Sequence, residues 1–113
     1  MYADLHSMDF TVDEPDGTVV VVQTDHRTTQ EIEEEWELSV VFALTRVVNP
    51  LRSDHPRVRM VFMHPPPPRL VALVAAAGAE VRQFTDGDEA VVAPPARDDA
   101  ATDRAVAEAL FVL

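Results

Sequence analysis

The sequence predicts an α+β fold: a curved, mainly antiparallel sheet of about five strands with three helices, in the order β-β-α-β-α-β-β-α, within a single α+β domain spanning residues 1–113. Two observations carry this. Short β-branched or alternating runs, bounded by Gly, Pro and Asp, recur along the chain with the period of two that a half-buried strand requires. Between and after them lie stretches whose apolar residues are spaced by three and four, the period of a helix with one face on a core. The length bounds the rest: 113 residues, 47% of them hydrophobic, suffice for one core and argue against disorder.

From the N-terminus, Leu5 to Val12 alternates, with Met8, Phe10 and Val12 on one face and Ser7, Asp9 and Thr11 on the other. Glu14-Pro15-Asp16-Gly17 has the chemistry of a type I turn followed by a bulge. Thr18 to Thr24, with four consecutive valines at its centre, suits a strand covered on both faces. Thr28 and Glu31 form a capping-box pattern, and the helix it opens carries the stripe Ile32, Trp36, Val40, Leu44, Val47 and Leu51 until Pro50 stops it. Its first turns are crowded with Glu31, Glu33, Glu34, Glu35 and Glu37, where the helix dipole favours negative charge.

A polar loop, Leu51 to His55, leads to the unit around which the chain is organised, Val58 to Val81. Val58, Met60 and Phe62 point one way and Arg57, Arg59, Val61 and Met63 the other. Pro65 to Pro68 cannot donate ladder hydrogen bonds, so the strand ends near His64, and Pro68 is placed to open a helix over Arg69 to Ala77. Gly78 supplies the left-handed residue that terminates it. Glu80 to Thr85, the tight turn Asp86-Gly87-Asp88, and Glu89 to Ala93 make a second hairpin. After an irregular Pro94 to Asp99, Thr102 caps a closing helix with Val106, Ala109, Leu110 and Leu113 as its apolar positions.

Within this unit Phe62, His64, Pro65 and Pro67 resemble the F-x-H-P-x-P signature of the arabinose-binding-like effector domain of AraC-type transcription regulators. Gly78, Val81 and Ala90-Val91-Val92 fall at offsets similar to that family's glycine and two following strands, and Asp98 to Leu113 resembles its acidic turn and last helix. The sequence departs from the pattern at Ala77 and Gln83, where the family has phenylalanine, at Glu89 in place of asparagine, and at Ala93 in place of an aromatic. The resemblance implies an effector-sensing or dimerisation domain, corresponding to the second half of the family domain, as a fragment or a free-standing copy. That family carries a helix-turn-helix region after this domain, and none is expected here. It implies action through a small-molecule effector, a homodimer or a regulator partner protein, and no DNA binding of its own.

Composition points the same way on nucleic acid. Twenty acidic against nine scattered basic residues leave a net charge of −11, which repels phosphate. Cysteine is absent, so disulfides, thiol nucleophiles and thiolate metal sites are excluded. The N-terminus lacks the basic and apolar segments of a signal peptide, and no run approaches the roughly 18 apolar residues of a membrane span, which gives a cytoplasmic expectation. His6, His26, His55 and His64 have no metal-ligand spacing, Ser7, Ser39 and Ser53 no nucleophile elbow, and three glycines build no phosphate loop. Neither catalysis, nor a metal, nor a cofactor is expected.

Two features point to binding instead. Trp36, with Phe42, Phe62 and Phe84, either lines a small apolar pocket or packs as plain core, and His64 either bonds the turn backbone or meets a ligand. The candidate ligand residues are therefore Trp36, Phe62, His64 and Phe84. The helix Leu70 to Ala77 is apolar on every side, so it is either wholly buried or offers Leu70, Leu73, Val74 and Ala77 to a partner. The alternative function is then a small acidic protein-interaction module, an inhibitor or subunit of a partner protein.

Overall fold

A computed structural model of the chain describes residues 10–23, 28–52 and 55–112. Among them are five strands, β1 (Phe10–Asp13), β2 (Thr18–Gln23), β3 (Arg57–Phe62), β4 (Ala79–Thr85) and β5 (Asp88–Ala93), and four helices, α1 (Thr29–Glu34), α2 (Trp36–Arg52), α3 (Pro68–Ala76) and α4 (Asp99–Val112). The strands form one sheet in sequence order. The fold is α+β, but the sheet is mixed rather than mainly antiparallel: β1–β2 and β4–β5 are antiparallel, β2–β3 and β3–β4 parallel. The physical reason lies in the connections. A helix that runs back along the sheet returns the chain to the end where the previous strand began, so α1–α2 and α3 each make a parallel neighbour.

The two hairpins follow from their turn residues. The Gly17 amide donates to the Glu14 carbonyl at 3.0 Å and the Glu14 amide to the Thr18 carbonyl at 2.8 Å, with Gly17 at φ +91°, the three-residue loop with a glycine bulge that the sequence predicts. Asp86 and Gly87 both have positive φ, +50° and +87°, as a two-residue type I′ turn demands. The part of the first expected strand before Phe10, and Thr24 at the end of the second, lie outside the described residues.

The expected long helix is two helices. The capping box is present, Thr28 Oγ1 accepting from the Glu31 amide at 3.1 Å and Glu31 Oε1 from the Thr28 amide at 3.0 Å, but α1 closes at Glu35, whose backbone has left the helical region at ψ +41°. Helix α2 then runs through Pro50 to Arg52. Pro50 withholds its own amide from the Arg46 carbonyl, but only Leu51 and Arg52 follow it, so the helix passes through it for two more residues before it ends. Pro68 opens α3 as expected, behind the fully buried Pro67, and Gly78 follows it at φ +111°. The cap of α4 is Asp98, whose carboxylate accepts from the Ala101 amide at 3.0 Å; Thr102 is buried inside the helix, its hydroxyl donating to the Asp98 carbonyl at 3.0 Å. The expected apolar positions Ala109, Leu110 and Leu113 lie outside the described side chains.

One face of the sheet carries the core. Val19, Val21, Val58, Met60, Phe62, Ala79 and Val81, alternate residues of β2, β3 and β4, pack with Val40, Ala43, Leu44 and Val47 of α2 and Leu70, Val74 and Ala75 of α3. The registers send Val20, Val22, Arg57, Arg59, Val61, Glu80, Arg82 and Phe84 to the opposite face, over which no described helix packs. At its centre Glu80 Oε1 accepts from Arg59 Nε at 2.9 Å and from Arg82 Nε at 2.8 Å. Partial burial pushes the Glu80 carboxyl up, but these two hydrogen bonds and the charges behind them outweigh it and hold the group below the ordinary glutamate value.

Candidate functional site

Three helices converge on a groove of about 590 Å³. From α2 it is lined by Trp36, Glu37 and Val40; from α3 by Arg69, Ala72, Leu73 and Ala76. From α4 come Ala101, Arg104, Ala105 and Glu108. The last two sets have the same spacing, i, i+3, i+4 and i+7, which is one stripe of a helix. Helix α3 therefore uses two faces: Leu70, Val74 and Ala75 enter the core, while Ala72, Leu73 and Ala76 form the groove floor. Alanine at four of these positions keeps the floor open.

The position of α4 follows from the end of α3. The Ala96 amide donates to the Ala75 carbonyl at 3.0 Å, alongside the Gly78 amide, and the Asp98 amide to the Ala76 carbonyl at 2.8 Å, so the segment after β5 is tied to the last carbonyls of α3. Asp98, fixed by this contact, is also the cap of α4.

At the other end the groove has an aromatic wall. The Arg69 guanidinium carbon lies 3.6 Å from the centroid of the Trp36 ring, and its nitrogens donate to both Glu33 oxygens, at 2.9 and 2.5 Å. The hydrogen bonds from Arg69 and its charge hold the Glu33 carboxyl below the usual range; Glu33 and the nearby Glu37 charge hold Arg69 above it. A second tie joins the same parts, the Thr29 hydroxyl donating to the Pro65 carbonyl at 3.2 Å. Arg69 thus clamps the α1–α2 junction to the proline segment and covers one face of Trp36.

The sequence-predicted ligand residues do not assemble. Trp36 lines the groove, Phe62 is 4% exposed in the core, and Phe84 stands on the opposite face of the sheet. His64 is exposed in the proline turn, and Phe42 is exposed beneath the Arg46 guanidinium. Of the residues named for an interface, Leu70, Val74 and Ala77 are buried within the fold, and Leu73 is half-buried in the groove floor. Sequence reasoning missed Arg69, Arg104, Ala105 and Glu108; the signal available for the last three was the repeat of three-and-four spacing from Ala101 to Glu108.

The lining offers carboxylates, guanidinium groups and an indole but no hydroxyl, imidazole or thiol. Among the described residues no three His, Asp or Glu side chains are grouped to hold a metal ion, and no helix is long and apolar enough to cross a membrane. Comparison with protein-family models, with curated proteins and with solved structures gave no match.

Proposed function

We propose that the chain is a small-molecule-sensing domain, of the kind the AraC-type resemblance implies, with the groove between α2, α3 and α4 as its effector site. The groove itself carries this reading. Its volume of about 590 Å³ falls among ordinary small-ligand sites, and an aromatic wall, an apolar floor and a few charges are what such sites are made of. In this reading the protein acts in the cytoplasm, without a cofactor and without catalysis, and signals through a second copy or a regulator partner protein.

The only tryptophan in the chain stands in the groove wall, so its emission reports on the site alone. Titration with a panel of small apolar and amphipathic compounds is expected to give a saturable change in Trp36 emission for at least one of them. Ala76→Phe, which fills the floor from a half-exposed position, is expected to abolish it. A panel that leaves the emission unmoved, or a change that survives Ala76→Phe, removes the effector site.

No direct contact with nucleic acid belongs to this function, because a net charge of −11 repels phosphate and Arg57, Arg59, Arg69, Arg82 and Arg97 are each paired with a carboxylate rather than gathered into a basic stripe. No shift of duplex DNA is expected near about 150 mM salt; submicromolar binding there contradicts the reading.

A second reading rests on the sheet face opposite the core, over which no described helix packs. Parallel strands are ordinarily covered on both sides; on this face Val20 and Val61 at the centre are buried, while Val12 and Val91 at the two margins are 46% and 54% exposed. That favours a protein-interaction module, acting as an inhibitor or a subunit. Under it, sedimentation at tens of micromolar gives a dimer or a complex that Val91→Lys dissociates without loss of fold. A wild-type monomer at high micromolar concentration, with no partner recovered through this face, leaves the second reading without support.

A further inference from the structure

The charges in the groove are of both signs, and they differ in whether they are already used. Arg69 is engaged by Glu33 and by the Trp36 ring. Arg104 has no hydrogen-bond or ion-pair partner among the described residues, whereas Arg57, Arg59, Arg82 and Arg97 are each paired with a carboxylate. Glu108, one turn beyond it on α4, and Glu37 on α2 likewise form no hydrogen bond or ion pair there; Glu37 acts on Arg69 only through its charge. The groove therefore presents one unused guanidinium and two unused carboxylates beside an apolar floor.

We propose that the groove binds an amphipathic zwitterion, an α-amino acid with an apolar or aromatic side chain, whose carboxylate meets Arg104, whose ammonium meets Glu37 and Glu108, and whose side chain lies on Leu73 and Trp36. The inference rests on the reading of the groove as the effector site. Charge complementarity selects this class. A simple anion that reaches Arg104 meets two carboxylates of its own sign, and a simple cation that reaches those carboxylates meets Arg104. A neutral apolar compound leaves all three groups to be desolvated without a partner. A ligand with both charges satisfies them together, and a guanidinium is suited to hold a carboxylate by two parallel hydrogen bonds.

The test compares three probes that share a phenyl ring and a two-carbon link: L-phenylalanine, 3-phenylpropionate and 2-phenylethylamine, by calorimetry on the whole chain. Phenylalanine is expected to bind about tenfold or more tightly than either singly charged probe. Arg104→Gln is expected to weaken phenylalanine and 3-phenylpropionate about tenfold and to spare 2-phenylethylamine; the double change Glu37→Gln, Glu108→Gln is expected to do the reverse. Equal affinity for the three probes, tighter binding of a singly charged one, or no binding of any below about 10 mM overturns the proposal. The wild-type comparison stands even where a variant fails to fold. If none of the probes binds while a neutral compound still moves Trp36 emission, the ligand class falls and the effector groove stands; if no compound moves it, both fall.

Discussion

Val74→Glu is expected to unfold the chain, whereas Leu73→Glu, one residue earlier on the same helix, leaves it folded. Val74 is 0% exposed, in the core where α3 packs on β4 and α2, so a carboxylate there has neither water nor a cation to meet. An unpaired buried charge costs more than about 4 kcal/mol, a large share of the 5–15 kcal/mol that a domain of this size has in total. Leu73 is half-buried in the groove floor, and its neighbours there include the unused Arg104. A glutamate at that position keeps access to solvent, and the expected loss is within about 1 kcal/mol. Circular dichroism and denaturant melts of both variants check this. If Val74→Glu remains folded with an unchanged midpoint, the inward face of α3 is misassigned, and the helix offers that face to a partner instead.

Gly78→Val is expected to destabilise by about 2–3 kcal/mol, because the residue holds φ at +111°, which a β-branched side chain resists. Space is the smaller cost. A Cβ at Gly78 meets Leu51 Cδ1 at 3.2 Å, and the free end of a leucine can give way by a few tenths of an ångström. Backbone strain therefore decides the sign. The control is Gly87→Asn in the type I′ turn, where φ is +87°, nothing lies within 4 Å of an added Cβ, and asparagine tolerates the left-handed region, so the expected cost is under about 1 kcal/mol. Urea melts of the two variants should separate clearly. An unchanged midpoint for Gly78→Val means that the chain leaves α3 by another route than a left-handed glycine.

The candidate site was legible only in part, and particular residues show why. Trp36 stood out as the aromatic on the apolar stripe of its helix, and it lines the groove between α2, α3 and α4. Phe62 and Phe84 were grouped with it because aromatic residues in a small domain tend to meet, but β3 and β4 are parallel neighbours whose registers place these two on opposite faces of the sheet. Arg69 read as the first residue after a proline run; its stacking on Trp36 depends on Glu33, thirty-six positions earlier in sequence. Nothing local signals such a pair.

What the sequence by itself determined is local: the period of each strand and helix, the turns at Gly17 and Gly87, the capping box at Thr28, the proline start and glycine stop of α3, and the inward set Val58, Met60 and Phe62. Each of these is set by the backbone freedom or the hydrogen-bonding groups of a few neighbouring residues. Only the tertiary structure decided the rest. Strand direction in the sheet was settled by helices that cross over it, and the division of α3 into a core face and a groove face by the arrival of α4. An apolar helix has no polar stripe to orient it, so its neighbours, and not its own sequence, choose which side is buried.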